Sequence, residues 1–314
     1  QDLYQIALMN DLRNNIEIMT YIIPSNYLFS DSSSNKIRKD FLNSYSIKKV
    51  YLFEDKIFDN TGTNVGIFFF NKKNYSQDEN LNFTGIKIKN GNKINRLYTL
   101  KHENNYRAGN NFGEFVKNYK ASHTINVKFY LTEQMIIEQK GDQTLEVINA
   151  NKLNGKNYER EFIQVSNQLK SYILSNILYV RTIDTGNAKG RVGLYEIQEK
   201  YGVNGIYTTE THRTHPIQLF LYPPISYENQ IYLKNYFNLL LEYFREIDDS
   251  EFLSTFKYSN ADYTRKYLGL TQTKQLIRTF PILDLSSEQD NELKKLIDKK
   301  QPENIIEYMG GRGN

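Results

Sequence analysis

The chain has 314 residues, of which 39% are hydrophobic and 24% charged, enough for two globular domains each with a core of its own. The absence of cysteine excludes a disulfide framework, thiolate metal sites and cysteine nucleophiles. A formal charge of +4 permits a polyanionic partner without requiring one. No run reaches the roughly 20 apolar residues of a membrane span, and no signal-peptide pattern is present, so the expected location is cytoplasmic.

Leu3, Tyr4, Ala7, Leu8 and Leu12 recur at helical spacing, so the chain opens in an amphipathic helix. No cap precedes it, which leaves two readings, further sequence upstream or a trimmed terminus. After a turn at Arg13-Asn14-Asn15, Ile16 to Ile23 has the length and β-branched content of a strand buried on both faces. Pro24 ends it, because proline cannot donate to the ladder. Ser25, Asn26 and Tyr27 then lie beyond the strand's carboxyl end, where open α/β sheets keep their ligands. Ser32 to Ser34 offer helix caps, and Ile37, Phe41 and Leu42 form an apolar stripe with Arg38 and Lys39 turned away. Lys49 to Phe53 and Val65 to Phe70 are the next strands, with Phe58 in the loop between them. As an isolated residue Phe58 would serve equally well as a core ring, but Asp55, Asp59 and Asn60 around it mark the loop as exposed.

Residues 74–95 are polar, with a short strand at Phe83 to Ile88 and a tight turn at Asn90-Gly91. Short strands follow at Tyr98 to His102, Thr124 to Leu131 and Leu145 to Ile148, and Arg107 sits in a Gly/Asn-rich loop between the first two. Phe162 to Leu174 reads as a helix. The loop that follows holds Arg181, Lys189 and Arg191 among glycines without phosphate-loop spacing, so phosphate contact rests on its charge alone. His212, Arg213 and His215 precede a strand at Ile217 to Tyr222; with no Cys and no HExxH they suit base-edge or phosphate contact better than a metal. Ile231 to Phe244 is the clearest long helix. Arg265, Lys266 and Lys274 lie in a basic, hydroxyl-rich segment, and Phe280-Pro281-Ile282 reads as a strand before a last helix capped by Ser287. Glu292-Leu293-Lys294 falls inside that helical pattern and is a solvated face rather than a nuclease pair.

In order along the chain, the segments IIPSNYL, KIRKDFL and EDKIFDNTGTNVGIFFFNKK resemble the second half of the Rossmann-like domain of adenine-N6 DNA methyltransferases. The closing stretch from Phe280 to Gln289 more loosely resembles the end of target-recognition domains in restriction-modification systems. The resemblance implies an α/β fold, the C-terminal half of a Rossmann-like sheet followed by an α+β target-recognition domain. The implied segments are a partial methyltransferase domain at 1–75, a connection at 76–100 and a recognition domain at 101–314. It further implies that Phe58 packs against a flipped-out adenine, a stacking contact on the order of 1–3 kcal/mol. The implied partner is double-stranded DNA, contacted by Arg107, Arg181, Lys189, Arg191, His212, Arg213, Arg265, Lys266 and Lys274. The family's cofactor is S-adenosylmethionine. Its Gly-rich cofactor turn and its Asn/Asp-Pro-Pro-aromatic tetrapeptide have no match in this sequence, since Tyr222-Pro223-Pro224 lacks the polar first residue. The chain is therefore expected to be catalytically incomplete, with cofactor and catalysis supplied by a missing or separate half. The alternative is a non-enzymatic scaffold that binds another protein.

Overall fold

Helix α1 (Leu3–Arg13) and the strand after it form where hydrophobic spacing places them, in a computed structural model that describes residues 2–30, 34–74, 80–184, 190–210, 216–247, 249, 253–255 and 264–311. Two compact units result: Gln1–Glu114 with Phe244–Tyr267, and Phe115–Tyr243 with Leu268–Asn314.

In the first unit α1 is followed by β1 (Ile18–Pro24), α2 (Asn26–Phe29), α3 (Ser34–Ser44), β2 (Tyr45–Phe53), β3 (Val65–Lys72), β4 (Leu81–Lys89) and β5 (Asn92–Leu100). These strands make one sheet in the order β1-β3-β2-β4-β5. All its pairs are antiparallel except β2 with β4, which are parallel. Within the span expected as a connection, β4 and β5 form a hairpin that extends the first sheet, turned by Asn90 (φ 52°) and Gly91 (φ 74°) as a tight hairpin demands. The core is aromatic: Phe41 stacks on Tyr45 at 4.5 Å and Phe68 on Phe70 at 5.8 Å, and the ring of Tyr27 stands edge-on to both phenylalanines of the second pair.

Two expectations fail here for identifiable reasons. β1 is not covered on both sides; it is one of the sheet's two edge strands, and Ile18 and Ile22 are 71% and 58% exposed. Arg38 does not turn away. It is fully buried, and its guanidinium donates to the carbonyls of Tyr27 (2.7 Å), Ser30 (3.1 Å) and Asn105 (2.8 Å). Helical spacing assigns a face by polarity, but the free carbonyls where α2 ends attract a cation inward.

Helix α4 (Asn111–Asn118) leads from the first unit into the second. There follow β6 (Asn126–Phe129), β7 (Leu131–Thr132), α5 (Glu133–Glu138), β8 (Gln143–Asn154), β9 (Asn157–Val165), α6 (Asn167–Leu174), β10 (Leu178–Arg181), β11 (Gly193–Glu196), α7 (Ile197–Tyr201), β12 (Gly205–Thr208), β13 (Ile217–Tyr222) and α8 (Tyr227–Glu246). Strands β14 (Leu253–Thr255) and β15 (Arg265–Tyr267) return to the first unit, and α9 (Leu270–Ile277), α10 (Ser287–Asp298) and α11 (Pro302–Gly311) complete the second. The second unit has two four-stranded sheets. One is antiparallel, β11-β10-β13-β6; in the other, β7-β12-β8-β9, strand β12 runs parallel to both neighbours.

The helix expected from Phe162 begins only at Asn167, because the Ser166 hydroxyl caps it by accepting from the Leu169 N–H at 3.2 Å. Phe162 itself lies on β9 opposite Glu146, 74% exposed. The expected strand at Phe280-Pro281-Ile282 is a turn closed by Asp284 N–H on the Pro281 carbonyl, and the helix that follows, α10, is capped by Ser286, not Ser287.

The buried guanidinium gives a test. Arg38→Ala should cost about 3 kcal/mol in urea unfolding, since it strips partners from buried carbonyls, whereas Ala at exposed Lys36 should change stability by less than about 0.5 kcal/mol.

Candidate nucleic-acid interface

The ring of Phe58 sits on the loop that joins β2 to β3, 44% exposed, beside Ile57 at 47%. The expected exposure of this loop is met. Within it the Thr61 N–H bonds the Phe58 carbonyl at 3.3 Å. Both ends of the loop are tied. Asn64 is buried and donates from Nδ2 to the Phe53 carbonyl (3.0 Å) and to the Thr264 hydroxyl (2.6 Å). Thr264 in turn donates to the Glu54 carbonyl at 2.6 Å. The Asn64 carbonyl accepts from Ser25 N–H at 2.9 Å, just past the end of β1. Asp55 accepts from the N–H groups of Asn90 (2.6 Å) and Gly91 (3.1 Å), which fastens the loop to the tip of the β4–β5 hairpin.

The predicted cations are placed unequally. Lys189, His212 and Arg213 lie outside the described residues. In the first unit, Arg107 is half-buried and donates to the Phe29 carbonyl at 2.9 Å; the loop around it packs inward through fully buried Tyr106 and Ala108. Arg265 and Lys266, on β15, are buried. In the second unit, Arg181 is buried against the Tyr195 ring, 5.8 Å from its centroid. Arg191 pairs with Glu242 at 2.9 Å, and its backbone carbonyl accepts the Tyr195 hydroxyl, so both arginines meet one tyrosine. Lys274 lies over the Phe129 ring at 5.2 Å. Arg181, Arg265 and Lys266, expected to reach DNA, are buried instead: every position of β10 is buried, and the adjacent Arg265 and Lys266 point to opposite faces of β15, both of them covered.

Lys266 takes part in a cluster that the sequence reading missed. Lys87 Nζ lies 2.7 Å from Glu54 Oε1 and also bonds Asp249. Lys266 Nζ is 3.4 Å from Glu54 Oε1, and half-exposed Lys89 is 3.5 Å from Glu54 Oε2. The Tyr98 hydroxyl donates to Asp249 at 2.9 Å. Burial alone would raise the Glu54 carboxyl, but Lys266 and Lys87 hold it well below the usual carboxylate range. Burial lowers Lys266, and repulsion from Lys87 adds to that. Burial also pulls Lys87 down, yet Asp249 and Glu54 overcome it and raise its pKa. A carboxylate held ionised between ammonium groups is poorly placed to take or give a proton near neutrality, so the cluster is a tether rather than an acid–base pair. A signal was present. Lys87 shares strand parity with Leu81 and Phe83, which places a lysine on the inward face of β4.

A pH dependence follows. The folded Glu54 pKa lies below its unfolded value of about 4.3, so its contribution is complete above that value and is lost as pH falls toward the folded pKa. Urea midpoints of the wild type should therefore fall below pH ~5 more steeply than those of Glu54→Gln. The variant should be less stable at pH 7 by about 3 kcal/mol, and the gap should narrow toward pH 3.

Among solved structures, the chain is similar to the type IIL restriction-modification enzyme MmeI in complex with DNA, at 9% identity and a TM-score of 0.43 over 97% of this chain. It is also similar to the type IIG restriction endonuclease BpuSI, at 9% identity and a TM-score of 0.28 over 90% of this chain. The chain spans 47% and 42% of those two proteins. No curated protein matches the sequence. The family model of N-6 DNA methylases matches residues 6–167, more than half of the chain, and the chain therefore belongs to the N-6 DNA methylase family.

Proposed function

We propose that this chain forms the base-holding and DNA-recognition part of a site-specific adenine-N6 DNA methyltransferase. The observation that carries the reading is the exposed Phe58 ring on a loop fixed at both ends, within the span matched by the family. An enzyme that modifies a base inside a duplex must take it out of the stack and hold it, and an aromatic face does so without regard to sequence. Arg191 and Lys274, with Lys189, His212 and Arg213, would contact the phosphate backbone or base edges; Arg107 would belong with them through its exposed part.

S-adenosylmethionine is the family's methyl donor, and the described residues do not fit it. The glycines of the first sheet sit inside strands or at a hairpin tip: a Cβ on Gly66 would strike Phe68 at 2.7 Å, one on Gly85 would strike Tyr98 at 2.6 Å, and Gly91 tops the hairpin. Among the described residues of that sheet no glycine turn opens a helix behind a strand, and in this reading a separate half would hold the cofactor. The edge strand β1, with Ile18 and Ile22 exposed, supports a second part of the reading, in which another sheet segment pairs with this edge. The same edge favours the alternative, a non-enzymatic subunit that binds a protein partner there.

Fluorescence anisotropy with labelled duplex separates the two. The DNA reading expects affinity to fall at least tenfold between 50 and 200 mM salt as counterions are released. Phe58→Ala should weaken binding to a duplex with an unpaired adenine by about 1–3 kcal/mol while leaving a fully paired duplex nearly unaffected. Absence of duplex binding at low salt would leave the scaffold.

A further inference from the structure

The loop from Glu54 to Asn64 carries the one aromatic ring to which the proposed function assigns a task, yet it has little structure of its own. Asp59, Asn60 and Gly62 favour turns, and the loop spans the gap between two antiparallel strands. A ring that must meet a base gains from being held in place beforehand, because the ordering cost is then met on folding and not on binding. The order comes from far away in the sequence. One hydroxyl, that of Thr264, accepts from Asn64 at the loop's end and donates to the carbonyl of Glu54 at its start, across separations of 200 and 210 residues. Lys266, two residues further on in β15, reaches the Glu54 carboxylate. The side chain that closes the loop is thus anchored beside a buried ion cluster, while Asn26 bonds Thr63 at 3.3 Å from the other side.

We propose that Thr264 is a positioning residue for Phe58: its hydroxyl bridges the two ends of the loop and sets where the ring stands. This rests on the reading of Phe58 as the base-stacking ring, but the bridge can be tested without DNA. The chain contains no tryptophan, so Phe58→Trp introduces a single indole at the position in question. In that background Thr264→Val should lower the indole's emission anisotropy and raise its acrylamide quenching constant about twofold, and Thr264→Ser should restore both. Hydrogen exchange read by mass spectrometry on otherwise unaltered Thr264→Ala provides a second measurement, with amides in 54–64 exchanging about tenfold faster and α8 unchanged. A valine variant that keeps its circular dichroism and leaves the indole and loop exchange as in the parent overturns the proposal. So does a loss of protection spread evenly over the first unit, which would make Thr264 an ordinary core residue. Adding a duplex with an unpaired adenine tests the underlying reading separately. Indole quenching by DNA that weakens in Thr264→Val supports both; no quenching, with the loop still loosened by the valine, removes base stacking and leaves the bridge standing.

Discussion

Lys87 occupies a position that strand alternation reserves for apolar side chains, and the first unit is organised around the consequences. An ammonium group withdrawn from water is costly unless it is paired and hydrogen-bonded. Glu54, at the end of the neighbouring parallel strand, meets it from one side and Asp249 from another. Glu54 then draws in Lys266. Glu54 comes from residues 1–114 and Asp249 from 244–267, so without the second segment Lys87 would keep only one of its two carboxylate partners, and 244–267 belong to this unit for electrostatic reasons as well as steric ones. Leaving any one member of such a group unpaired inside the fold costs more than the group contributes as a whole, which makes it a strong specifier of arrangement.

The same cluster lies at the root of the Phe58 loop, and this is where stability and function meet. Glu54 is at once the ion-pair partner of three lysines and the residue whose carbonyl accepts the Thr264 hydroxyl. Rigidity supplied by buried charge is passed over a few bonds to a loop whose ring remains in solvent. Exposed Phe58 and Ile57 side by side on a loop that is otherwise polar form an apolar spot that folding alone does not favour, which is why the proposed reading looks for a ligand there.

Much of the fold was legible in the sequence. Asn90-Gly91 signalled its hairpin because both central residues of that turn need positive φ, and the long apolar stripe of α8 and the strand at Ile217 to Tyr222 appear where the pattern puts them. What escaped did so for physical reasons. Pattern reading cannot see that Pro24's strand is an edge, since Ile18 and Ile22 look like core until the partner strands are known. It read Phe162 into a helix because an apolar run preceding Val165 and Leu169 has helical spacing, whereas pairing with β8 and the Ser166 cap decide the issue. Of the site, Phe58 and its exposure were legible; Asn64 and Thr264 were not, because their meeting depends on a separation of 200 residues.

The burial of cations also changes what the net charge means for a nucleic-acid partner. Among the described residues, six cations are buried, Arg38, Lys87, Arg181, Arg245, Arg265 and Lys266, against three buried acids, Glu54, Asp184 and Asp249. The buried set among the described residues therefore carries an excess of three positive charges. Cations withdrawn in this way make no direct contact with phosphate oxygens. On the proposed reading, affinity for DNA would come from the remaining groups of cations at particular loops and from stacking at the target base, both of which act at short range. Such a division would leave more of the binding free energy to the contacts that read sequence and hold the base.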